Sequence, residues 1–135
     1  LPVVFPVHPR TRKNLAAANL LARLEQAPGI RLLEPQSYIR FMSLVFDCRL
    51  VITDSGGIQE ETTFLSIPCI TVRDNTERPV TVTEGTNHLA GTKLEGLADL
   101  VGKILDGTSK KGTIPALWDG KAAERIAGIV AGHLT

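Results

Sequence analysis

Aromatic side chains are scarce in this chain, with one Trp, one Tyr and four Phe among 135 residues. Single-stranded nucleic acids are held largely by stacking on such rings, so the count argues against a base-stacking platform. An excess of either charge is also lacking: 15 Lys and Arg stand against 14 Asp and Glu, a formal net charge of +1. No overall field would draw the protein onto nucleic acid or an anionic membrane, and any anion it binds must be held locally. There are only two cysteines, Cys48 and Cys69. They lack metal-ligand spacing, Cys69 lies in an apolar run that suits a buried thiol, and a reducing, cytoplasmic setting fits. Apolar stretches are broken by Pro, Arg or Asp well short of membrane-spanning length, and the N-terminus has no charged region followed by a cleavage site. Neither membrane insertion nor secretion is expected. The P-loop ending Gly-Lys-Ser/Thr and the dinucleotide fingerprint Gly-x-Gly-x-x-Gly are both missing.

What is present is a 43% apolar chain rich enough in Val, Ile and Leu to form one globular domain. Leu1–Val7 is a continuous apolar run without polar alternation, which predicts a strand covered on both faces. Thr11 can cap a following helix in which Ala17, Leu20, Leu21 and Leu24 share one face, ending at Pro28-Gly29. A brief strand at Ile30–Leu33 precedes a helix from about Pro35 to Asp47, with Ile39, Met42, Val45 and Phe46 as its core stripe. A strand at Leu50–Thr53 leads through Asp54-Ser55-Gly56-Gly57 into a helix from Ile58 to about Leu65, and a further strand follows at Cys69–Val72. The polar segment Arg73–Thr86 reads as a loop with a helical turn around Pro79–Glu84. Asn87–Ala90 adds a short strand, Leu94–Leu105 an amphipathic helix, and Lys121–Leu134 a closing helix. Parallel strands joined by helical crossovers make an α/β, Rossmann-like sheet flanked by helices, and ligands of such sheets bind outside the carboxyl ends of the strands.

The residues that follow those strands carry the chemistry. In Leu50–Glu61 two glycines sit at a strand-to-helix junction, where forward-pointing amides and the helix dipole suit a diphosphate and the Ser55 hydroxyl adds a donor. A plainer account has Asp54 or Ser55 capping the helix while the glycines merely turn the chain. One turn further on, Glu61 can reach along a bound nucleotide toward ribose hydroxyls, whereas Glu60 reads as a solvated acid. Arg73 and Arg78 place two guanidinium groups on the next loop, where they match phosphate oxygens or else pair with Asp74 and Glu77. His8-Pro9-Arg10 is a weaker signal, since a single His after a strand is often a hydrogen-bonded structural group. Tyr38 and Phe41 can stack on a planar base, although helical spacing also suits them to the core.

Taken together, His8-Pro9-Arg10, Pro35-Gln36-x-Tyr38, Asp54-Ser55-Gly56-Gly57-Ile58-Gln59-Glu60-Glu61 and Arg73-Asp74-x-Thr76-Glu77-Arg78-Pro79 resemble the non-hydrolysing UDP-N-acetylglucosamine 2-epimerases. Gly85-Thr86-Asn87 and Asp119-Gly120-Lys121-Ala122 extend the likeness over nearly the whole chain. Ala116-Leu117-Trp118 departs from the family's Pro-Tyr-Gly-Asp-Gly-like stretch. The resemblance implies that residues 1–135 are the C-terminal, UDP-binding half of a GT-B-like enzyme of two Rossmann-like domains. Ser55, Gly56 and Gly57 would bind the diphosphate, Glu61 the ribose, Arg78 the phosphates and Phe41 the uracil environment. His8 matches a position near the cleft or its regulatory ligand.

The reaction so implied is inversion at C2, interconverting UDP-N-acetylglucosamine and UDP-N-acetylmannosamine through loss and re-addition of UDP. The family's acid/base carboxylates belong to the N-terminal domain, so no catalytic residue is assigned here, and no cofactor or metal is expected. The implied partners are UDP or its N-acetylglucosamine conjugate, the N-terminal domain, and a second copy in a homodimer of the full-length protein, with no nucleic acid and no membrane. The alternatives are the nucleotide domain of a hydrolysing epimerase or GT-B glycosyltransferase, or a non-catalytic nucleotide-sensing module.

Overall fold

The computed structural model describes residues 1–133, and Leu134, the expected end of the last helix, lies outside them. The chain forms two compact units, Leu1–Leu44 and the residues from Val45 onward. Where the order of strands suggests a single sheet, the parallel strands form one of two strands in the first unit and one of three in the second.

In the first unit, strand β1 (Val3–Pro6) pairs in parallel with β2 (Ile30–Leu33), Val3 opposite Ile30 and Pro6 opposite Leu33. Parallel neighbours need a crossover, supplied here by α1 (Pro9–Ala17) and α2 (Leu21–Gln26). These are two helices instead of the one expected. Asn19 sits between them at φ 55, in the left-handed region that Asn tolerates better than most residues, and this breaks the run. The cap also differs from expectation. Pro9 starts α1 with its φ already set, and the cap is His8, whose Nδ1 accepts from the Arg10 amide at 3.2 Å, in place of Thr11. β1 is not covered on both faces, because Val3 is 54% exposed and Val4 is exposed too. Helix α3 (Tyr38–Phe46) carries the chain toward the second unit. Of its expected core stripe only Val45 is buried, and Ile39 is 78% exposed. Apolar periodicity marks a face that gains by being covered. It does not require the cover to lie within the same 135 residues.

The second unit is built on β3 (Val51–Thr53), β4 (Cys69–Thr71) and β5 (Asn87–Leu89), all parallel, with β4 in the centre. Val51, Cys69 and Asn87 align in one row and Thr53, Thr71 and Leu89 in another, so the carboxyl ends of the strands are level. Helix α4 (Gly56–Phe64) joins β3 to β4, and the short α5 (Pro79–Thr83) joins β4 to β5. Two more helices follow, α6 (Leu97–Leu105), which starts from Gly96 at φ 75, and α7 (Ala122–His133). Every residue of β4 is inaccessible to solvent, Cys69 included, and burial raises the pKa of its thiol. Among the described residues no helix is long and apolar enough to cross a membrane.

The interior of this unit is unusually polar. Gln59, Thr62, Thr63, Thr71, Thr81 and Asn87 are all fully buried, beside Cys69 and Ile70. Buried polar groups persist only when paired, so most of them must meet one another. His88, on β5, illustrates the cost: its Nε2 is shielded without a hydrogen-bond partner among the described residues. Burial, and then the Lys110 ammonium, lower its pKa from the ordinary 6.5. A depressed histidine leaves stability intact above 6.5 and removes it as pH falls toward the folded-state value. The free energy of unfolding should therefore decline as pH falls below 6.5, and His88→Asn should flatten that decline. Urea denaturation across a pH series below 6.5 checks it, and the same pH dependence for both proteins would show that His88 is not responsible.

Candidate nucleotide site

The level carboxyl edge of the three-stranded sheet brings together the residues following β3 and β4. After Thr53 the chain turns through Asp54 and Ser55, with the Ser55 amide donating to Thr53 Oγ1 at 3.0 Å. Ser55 is the extended residue before α4 (φ −80, ψ 133), yet among the described residues its side chain makes no capping bond. The first-turn amides of α4 are thus left without the side-chain acceptor that the capping account supplies. Gly56 and Gly57 are the first two residues of that helix and not, as expected, a loop before it. Neither has a positive φ, and a methyl group on either would meet no described atom within 4 Å. Nothing in the turn or in the packing of the described residues demands glycine at those two positions. Close approach of a ligand to the backbone is a further physical reason for glycine.

Glu61 lies one turn into α4, half-buried, and its Oε2 is shielded without a hydrogen-bond partner among the described residues. A shielded acceptor left unpaired is costly, and a hydroxyl donor would relieve that cost. Beside it is a shallow cavity of about 380 Å³ lined by Glu60, Glu61, Phe64, Trp118 and Gly120. Trp118, noticed in the sequence only as a departure from a family pattern, therefore shares a surface with Glu61.

Arg78 lies just before α5. Its Nε stands 3.0 Å from Glu60 Oε1, a charge contact lacking the alignment of a hydrogen bond, and its Nη1 donates to the Glu77 carbonyl at 3.3 Å. The guanidinium is thereby beside α4, and it pairs with Glu60, not with the Glu77 carboxylate. Glu60, its side chain 42% exposed, is the solvated acid expected, with Arg78 as its ion-pair partner. Asp74, the other acid of that loop, accepts from the Thr92 amide at 2.9 Å and from the Thr92 hydroxyl, which ties the segments after β4 and β5 together. Of the other candidates, Phe41 is half-buried on α3 and His8 caps α1, both in the first unit. Among the described residues no group of three or more His, Cys, Asp or Glu could hold a metal ion.

Sequence reasoning gave no role to Gln59, Thr76, Thr81 and Asn87, which hydrogen-bond beneath the edge formed by Ser55 and Arg78. Gln59, Thr76 and Asn87 fall inside the conspicuous motifs, but no periodicity or local spacing shows that they meet.

A parallel sheet with flanking helices and an anion-compatible helix N-terminus at its carboxyl edge defines a Rossmann-like domain, and solved structures similar to it share the GT-B fold. The model of the UDP-N-acetylglucosamine 2-epimerase family matches residues 1–131, and the chain belongs to that family. It is 42% identical to the UDP-N-acetylglucosamine 2-epimerase of Methanocaldococcus jannaschii over 95% of its own length, and 41% identical to that of Methanococcus maripaludis over 97%. It spans about a third of each, 34% and 35%. The crystal structure of the Methanocaldococcus jannaschii enzyme in complex with UDP-GlcNAc and UDP superposes with a TM-score of 0.83, covering 96% of this chain and 35% of that one. The Neisseria meningitidis enzyme bound to UDP-GlcNAc gives 0.70 at 28% identity, covering 98% and 36%.

Proposed function

We propose that residues 1–135 form the C-terminal, UDP-binding domain of an enzyme that interconverts UDP-N-acetylglucosamine and UDP-N-acetylmannosamine. The observation that carries this reading is the uncapped start of α4, with two glycines that neither the turn nor the packing of the described residues requires. In this reading the amides of Gly56 and Gly57 and the Ser55 hydroxyl hold the diphosphate, Arg78 neutralises it, and Glu61 Oε2 accepts from the ribose. Phe41 contributes to the uracil environment, and His8 lies near the cleft or a regulatory ligand. Removal of the C2 proton expels UDP from C1 and leaves a glycal, and UDP re-adds after a proton arrives on the opposite face. UDP has to be retained throughout, which is the part this domain plays.

The acid/base groups belong to the remaining two thirds of the enzyme in this reading, since nothing assigned here is placed to move the C2 proton. This chain alone should then exchange no deuterium into C2. The full-length protein is read as a cytoplasmic homodimer without a nucleic-acid or membrane partner.

Glu61→Gln tests the ribose assignment. An amide in place of the carboxylate weakens its acceptor, so UDP affinity should fall by about tenfold, the scale of a charged hydrogen bond, while pyrophosphate affinity stays within about twofold. Isothermal titration with both ligands measures this. Parallel losses for the two would show that Glu61 supports the fold and not the ribose.

A further inference from the structure

The buried polar residues beneath α4 close into a ring of hydrogen bonds around the backbone of Arg78. Thr76 Oγ1 accepts from the Arg78 amide at 2.9 Å and donates to Gln59 Oε1 at 2.6 Å. On the other side of the same residue, Thr81 Oγ1 donates to the Arg78 carbonyl at 2.7 Å and accepts from Asn87 Nδ2 at 3.1 Å. Asn87 Nδ2 also donates to Gln59 Oε1 at 3.1 Å, which closes the circuit. Outside the ring, Gln59 Nε2 donates to the Ser55 carbonyl at 3.2 Å, and Thr71 Oγ1 donates to Asn87 Oδ1 at 2.7 Å.

The directions of these bonds are mutually required. Both lone pairs of Gln59 Oε1 are taken by Thr76 and Asn87, both N–H groups of Asn87 are spent on Gln59 and Thr81, and each threonine hydroxyl has one proton to give. Turning the Gln59 amide around would set its NH2 against that of Asn87. The network therefore has one satisfied arrangement, and a wrong one would be heavily penalised because Gln59, Asn87 and Thr81 are fully buried. Apolar side chains would fill the same space without that penalty. What the ring adds is geometry: it clamps Arg78 by its amide and its carbonyl and ties that clamp, through one carboxamide, to the Ser55 carbonyl at the start of α4.

We propose that Gln59, Thr76, Thr81 and Asn87 are positioning residues that set the Arg78 guanidinium in register with the α4 N-terminus for a diphosphate. This rests on the reading of Arg78 and α4 as the UDP-phosphate site. Thr76 is the best place to break the ring, since it is only half-buried and, among the described residues, its hydroxyl is the sole link on that side.

The test is a double-mutant cycle on the 135-residue chain, with UDP affinity read by calorimetry and folding by thermal denaturation. Thr76→Val, which keeps shape and loses the hydroxyl, should weaken UDP about tenfold, and Thr76→Ser should stay within about twofold of wild type. In an Arg78→Ala background Thr76→Val should cost less than about twofold more, because there is no guanidinium left to misplace. Thr71→Val removes a buried hydrogen bond outside the ring and should lower the melting temperature while leaving UDP affinity within about twofold. Multiplying losses in the double mutant, or an equal loss of UDP affinity in Thr71→Val, would reduce the ring to ordinary structural support and overturn the proposal. Wild-type protein that binds no UDP would instead overturn the reading of the site on which the proposal rests.

Discussion

Gly112→Ala is expected to cost the second unit about 3 kcal/mol or more of stability, a large share of what holds a domain of this size together. Gly112 has φ +67, where a β-carbon is strained, and the added methyl would overlap the carbonyl carbon and oxygen of Gly85 and approach the Thr86 nitrogen to 2.7 Å. All three are backbone atoms, so no side chain can swing aside. Gly85 is equally confined on its other side, with Thr63 Oγ1 at 2.5 Å and the Thr81 carbonyl at 2.7 Å from where its own methyl would stand. Loss of this contact loosens the strand end that delivers Thr86 and Asn87 to the interior. Urea denaturation should show a clear drop in midpoint, with Gly128→Ala, where nothing lies within 4 Å, close to neutral or slightly stabilising. Equal midpoints for Gly112→Ala and wild type would mean that the close approach is not a feature of the folded protein.

Gly57→Ala is expected to move stability and binding in opposite directions. Its φ is not positive and its added methyl meets no described atom, so alanine should lower the entropy of the unfolded chain and stabilise the protein by about 0.5 kcal/mol. If phosphate oxygens approach the first-turn amides, the same methyl stands in their way and takes one or two charge-assisted hydrogen bonds with it. UDP affinity should then fall on the order of 10–100-fold. A melting curve and a titration on the same sample decide the matter. A variant that is more stable and binds UDP as well as wild type would remove the reason for glycine at that position.

The contrast between these two glycines shows what could be read from the sequence. Gly57 lies in a run whose chemistry is local, since a strand, a Ser-Gly-Gly junction and a helix are neighbours in the chain, and the reading of that junction needed no tertiary information. Even so, the helix starts at Gly56 itself, since glycine accepts helical φ and ψ, and among the described residues the Ser55 side chain makes no capping bond. Gly112 and Gly85 constrain each other across 27 positions of chain, a contact with no local signature. The same holds for Gln59 and Asn87, which are 28 residues apart in sequence and joined by a hydrogen bond that no propensity encodes. Asn19 tolerates left-handed backbone, but the apolar pattern of Ala17, Leu20, Leu21 and Leu24 predicts one continuous helix and gives no sign of the break there. The exposure of Val3 and Ile39 could not be read at all, because an apolar pattern records which face is to be covered and not where the covering residues lie.

The measurement closest to the central claim is a map of backbone amide shifts as UDP is titrated into the isotopically labelled 135-residue chain, with pyrophosphate as a second ligand. Both ligands should move the amides of Gly56, Gly57 and Ile58 and of the loop around Arg78. UDP alone should also perturb Glu61 and the indole of Trp118, which lines the same cavity. Shifts confined to other surfaces, or no saturable change with either ligand, would contradict the assignment of the α4 N-terminus and Arg78 as the UDP-phosphate site.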